Sequence, residues 1–158
     1  MLCRQQKRTA FYKQERQIEH MENKEEFLTE VLIRVQRNYV HMVEIERLTK
    51  DMADSLSRNA KESVELLLKM RGEEMDQAST SKHEIQTILE AMDGEDQKKL
   101  RSWLNGENGK KYEPDSFESR KIAELSSQTQ QVLSRTINLD KVLNSKVAGK
   151  ESFYQATS

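Results

Sequence analysis

The sequence has little that breaks a helix. It holds one proline, Pro114, and five glycines, at 72, 94, 106, 109 and 149. Long tracts therefore carry no breaker at all, which favours helix and argues against a sheet protein with many turns. Cysteine is scarce too. Cys3 stands alone, so a disulfide framework is excluded and a reducing, cytosolic compartment fits. Leu66-Leu67-Leu68 is the longest leucine run, and no apolar run approaches the roughly 20 residues that span a bilayer. The N-terminus lacks the apolar stretch of a secretory signal. With a net charge of −1, the chain as a whole offers no electrostatic footprint for nucleic acid.

What is present is charge and helical periodicity. Of 158 residues, 35% are hydrophobic and 34% charged, polar for a globular core and ordinary for long, thin helices. Residues 1–21 read as a basic arm without regular structure. They carry Arg4, Lys7, Arg8, Lys13 and Arg16 against Glu15 and Glu19, and Leu2, Ala10, Phe11, Tyr12 and Ile18 form no clear apolar face. A targeting peptide, or an extension ahead of a true start at Met21, are the other readings of this arm.

The periodic pattern predicts an all-α domain over residues 22–150. A first long helix starts near Glu22, where Leu28, Leu32, Val35, Tyr39 and Met42 keep four-three steps that Ile45, Leu48, Met52 and Leu56 continue. Polarity rises at Ser55–Asn59, where a break or bend is expected, with Ser57 or Asn59 capping a new helix. The second helix runs from about Ala60 on Val64, Leu67, Leu68, Met70 and Met75. Gly72 inside it costs roughly 1 kcal/mol without ending it, and Ser79-Thr80-Ser81 is the weaker point. Asp93 suits the N-cap of a short helix holding Leu100, Trp103 and Leu104, with Trp103 plugging the end of the core. Residues 105–115 are the clearest loop, and Asp115 or Ser116 can cap the last helix. That helix carries Ile122, Leu125, Val132, Leu139 and Leu143, with Thr129 and Thr136 in the gaps, and its end is expected at Gly149. Residues 151–158, with Phe153 and Tyr154, read as a flexible tail. The fold class is an elongated antiparallel helical bundle of about three long helices plus a short one.

Chemistry finds no foothold. His20, His41 and His83 pair at no metal-ligand spacing, and His83-Glu84 lacks the second histidine of a zinc-protease helix. Gly109-Lys110 is followed by Lys111, not by the Ser or Thr of a phosphate loop. Carboxylates intermix with lysine and arginine at helical spacing, as on a solvated ion-paired face. No catalytic residue, no cofactor, no metal and no small-molecule substrate are expected. What remains is binding. Seven methionines, several on or beside the apolar stripes, suit an adaptable surface or fill gaps in the core.

A long first helix, a helical middle, a polar loop and a long amphipathic last helix together resemble the flagellar export chaperones of the FlgN type. The local echoes are Leu66-Leu67-Leu68-Lys69-Met70-Arg71-Gly72-Glu73-Glu74-Met75 and the ending Leu139-Asp140-Lys141-Val142-Leu143-Asn144-Ser145-Lys146-Val147-Ala148-Gly149 with Ser152-Phe153-Tyr154. The resemblance covers roughly residues 22–154. It implies a cytoplasmic, non-enzymatic chaperone, a monomer or weak homodimer, whose last helix and tail bind secreted hook–filament junction proteins and present them to the export apparatus. The residues expected to carry that contact are Val132, Ile137, Leu139, Val142, Leu143, Val147, Phe153 and Tyr154. Two other classes stand beside it: a structural coiled-coil adaptor with a permanent helical partner, and a helical regulator that meets nucleic acid through the basic arm.

Overall fold

The computed structural model describes the backbone of residues 2–106 and 111–156, and the side-chain surroundings of residues 6–16, 23–106 and 111–148. The described residues form four helices and no strand: α1 (Leu2–Ser57), α2 (Lys61–Glu90), α3 (Gly94–Leu104) and α4 (Phe117–Ala156). The all-α bundle of three long helices and one short one is thus the observed architecture.

Two helix ends differ from those read in the sequence. First, α1 begins at Leu2 rather than near Glu22. Neither proline nor glycine precedes Gly72, so nothing local stops the helix from continuing outward. Residues 6–16 are exposed on every side, Phe11 and Tyr12 included, so this turn of helix needs no apolar face. Second, α4 passes through Gly149 to Ala156. A lone glycine weakens a helix without ending it, and no proline follows Pro114.

The break near Ser55–Asn59 is present, built differently from a new N-cap. Asn59 takes a left-handed conformation with φ 55°. Its N–H donates to Leu56 O, and the Ala60 N–H donates to Ser55 O. These are the two bonds of a Schellman ending, with asparagine where glycine usually sits. Ser57 is spent on its own helix, donating to Ala53 O and Asp54 O. Asp93 holds the N-cap of α3, with Glu95 and Asp96 in the first turn. At α4 it is Ser116 that caps: its Oγ accepts from Ser119 N–H, while Ser119 Oγ accepts from Ser116 N–H. This is a capping box with serine in place of the usual glutamate.

Cross-helix pairs fix the directions. Arg34 meets Glu84, His41 meets Glu74, and Arg71 reaches Thr49, so α2 runs antiparallel to α1. Ile122 belongs to the core beside Val31, and Arg135 meets Glu46, so α4 runs parallel to α1. Both α2 and α4 pack on α1, and they do not pack on each other; α3 packs on α4 and the end of α2. The densest core lies where all four helices meet: Leu28, Val31 and Val35 of α1, Ile85 and Leu89 of α2, Leu100 and Trp103 of α3, and Ile122 of α4. Trp103 is 1% exposed, and its Nε1–H donates to Tyr112 O at 3.0 Å. It plugs the end of the bundle, as the sequence suggests.

Candidate protein-interaction site

The threonines that soften the α4 seam are satisfied within the helix. Thr129 Oγ1 donates to Leu125 O, and Thr136 Oγ1 donates to Val132 O. Thr49 of α1 does the same to Ile45 O. Each hydroxyl can therefore be buried without the penalty of an unmade hydrogen bond. In consequence the seam is closed: Val132 and Leu143, with Thr136 between them, are buried. Two of the expected partner contacts are thereby core residues of the free protein.

The other expected residues divide between the two flanks of α4. Leu139 and Val142 line a shallow depression with Glu46, Lys50, Arg135 and Asn138. Val142 is 54% exposed and Leu139 half-buried. Ile137 lies on the opposite flank, one turn beyond Leu133, which faces α2. Val147 stands exposed one turn beyond Leu143. Phe153 and Tyr154 fall in the last turns of α4, and their side chains lie outside the described residues. The eight residues therefore do not make one patch.

Charge organises the first flank. Glu46 is nearly buried, and its carboxylate accepts from Lys50 Nζ at 2.9 Å and from Arg135 Nη2 at 3.1 Å. Hydrogen bonding from Lys50 holds this carboxyl below the usual carboxylate range; Arg135 adds to the effect and desolvation opposes it. The pair ties α4 to α1 across the depression. Elsewhere Arg34 bridges Glu30 and Glu84, and both carboxylates favour its charged form.

The second flank holds what sequence reading missed. Because α2 and α4 stand apart, a cleft of about 380 Å³ opens between them. Val35 and Asn38 of α1 form its floor, and the end of α3 closes one end. Gln130 secures that end: its Nε2 donates to Asn105 O at 2.8 Å, and a Cβ on Gly106 would lie 2.6 Å from its Oε1. Only the diagonal placement of α2 and α4 creates the cleft, so no periodicity in one helix could announce it.

Among the described residues, no group of three or more His, Cys, Asp or Glu converges to hold a metal ion. His41 is engaged with Glu74 at 2.6 Å between α1 and α2. No described helix is long and apolar enough to cross a membrane. Comparison with protein-family models, curated proteins and solved structures finds no match. The function must be argued from the surface of the bundle.

Proposed function

We propose that this chain is a non-enzymatic cytoplasmic binding protein of the flagellar export chaperone kind, holding a helical segment of a secreted hook–filament junction protein against α4. The observation that carries the reading is the pair of exposed apolar flanks on α4: Leu133 and Ile137 on one side, Val142 on the other. A helix with an internal seam and apolar residues left over on both sides has surface for a second helix. The test is capture of purified junction proteins by the intact chain and by Ile137→Asp and Val142→Asp variants. Both residues are exposed, so the variants keep the fold. Loss of capture with either variant supports the reading; equal capture by wild type and both variants overturns it.

A second reading, the structural adaptor with a permanent helical partner, is favoured by the outer part of α1. Phe11 and Tyr12 are 60% and 61% exposed on a helix that projects beyond its neighbours. An oligomer that persists on dilution, and dissociates when both aromatics are changed to serine, is the outcome this reading requires.

A further inference from the structure

In a square four-helix bundle, each helix packs on two neighbours and faces the fourth across a diagonal. Here α1 packs on α2 and α4, and those two stand apart, bridged by the ion pair of Arg71 with Asp140. The fourth corner belongs to α3, but α3 has only 11 residues, ~16 Å, against ~45 Å for α2. Beyond its C-terminal end the corner is open. On α2 its lining runs from Lys82 to Leu89, roughly 10 Å or two helical turns. Further along the pair of helices, Arg71 Nη1 of α2 donates to Asp140 of α4 at 2.8 Å.

Three features of the opening describe its occupant. Its walls are apolar at Val35, Ile85, Leu89 and Leu133. Met75, two turns from Lys82 on the same face of α2, and Ile137 of α4 continue this surface as exposed apolar rims. Its charge has one sign: Lys82 and Arg101 line it with no carboxylate among the lining residues, and neither cation has an ion-pair partner among the described residues. In a chain of net charge −1 such a cationic mouth is a local arrangement. Finally, Asn38 on the floor is 9% exposed, and its Oδ1 has no hydrogen-bond partner.

We propose that this cleft binds one amphipathic helix of a partner protein, seated over about two turns of α2 and α4, as the missing part of the fourth corner. The helix carries acidic residues on its flanks, facing Lys82 and Arg101, and a hydrogen-bond donor within its apolar stripe, facing Asn38. The proposal rests on the helix-binding reading above and fixes where the helix lies and what it must present.

The test uses the full chain and two fluorescent synthetic helices of about 18 residues. Both have the same leucine and alanine stripe with a central serine; one has glutamate flanks and the other lysine flanks, and each carries a photoreactive group on the stripe. The expected result is about tenfold tighter binding of the glutamate-flanked helix, inverted in the Lys82→Glu/Arg101→Glu variant, with crosslinks to α2 and α4 residues around Gln86 and Leu133. Lys82 and Arg101 are exposed, so the double variant should fold. Asn38→Leu should raise the thermal midpoint of the free chain and remove the advantage of a central serine over alanine. Binding that ignores the double charge reversal, or crosslinks at Leu139 and Val142, overturns the cleft while leaving helix binding intact. Self-association of the chain through Leu133, abolished by Leu133→Asp, would give the corner to a second copy and also overturn the proposal. Failure of both peptides to bind counts against the cleft; if junction proteins are also not captured, the helix-binding reading falls with it.

Discussion

Replacing Trp103 by alanine should unfasten the closed end of the bundle. The indole is 1% exposed, in a core with Leu28, Val31, Leu100 and Ile122. Its removal leaves a large cavity in a place where four helices meet, and such truncations cost about 3–5 kcal/mol. The lost bond from Nε1 to Tyr112 O adds to this, because that carbonyl then loses its partner. Trp103→Phe separates the two effects. It keeps most of the ring, gives up the donor, and should cost about 2 kcal/mol. Against a total stability of about 5–15 kcal/mol, the alanine variant loses about a fifth or more. Urea unfolding followed by far-UV circular dichroism measures both, since the variants have no tryptophan to report. A cost below about 1 kcal/mol for Trp103→Ala, with an unchanged denaturant slope, would refute the reasoning and make Trp103 a surface contact rather than a plug.

Gly106→Ala should destabilise by about 1–2 kcal/mol, because φ is +66° and the new Cβ meets Gln130; adding Gln130→Ala should restore only the steric part, as read from urea midpoints. Glu46 gives a pH signature. Its folded pKa is lowered, so its contribution is present above the carboxylate range and is lost as pH falls through the folded value. The stability gap between wild type and Glu46→Gln should therefore be widest near neutral pH and shrink below about pH 4; a gap that widens in acid would contradict the assignment. Leu143→Ala should cost about 2–4 kcal/mol and Val142→Ala under about 0.5 kcal/mol, since adjacent residues on α4 face the core and the solvent respectively. Similar costs for the two would mean that α4 sits in another rotation on α1.

Much of the helix content was legible from local signals. The apolar steps from Leu28 to Leu56 and from Ile122 to Leu143 mark the faces that meet, and Asp93 and Ser116 mark two helix starts. The signals that misled were also local. Gly149 reads as a stop, but one glycine is a small cost against a helix that continues on both sides. Asn59 reads as an N-cap, and works instead as the left-handed ending of α1. The candidate contacts on α4 were chosen by hydrophobicity along one helix, so buried Val132 and Leu143 were grouped with exposed Ile137 and Val142. Periodicity finds a stripe; it does not say which part of the stripe a neighbour covers.

The sequence by itself determined that this chain is helical and poor in breakers, because those properties depend on near neighbours along the chain. Only the tertiary structure decided that α2 and α4 lie diagonally across α1, that α3 is too short to fill the fourth corner, and that Asn38, Lys82, Arg101 and Leu133 come to line one cleft. Those four residues are far apart in sequence, and their meeting depends on how whole helices are placed. That placement is set by the combined packing of many side chains on α1, which no single stretch of the sequence encodes.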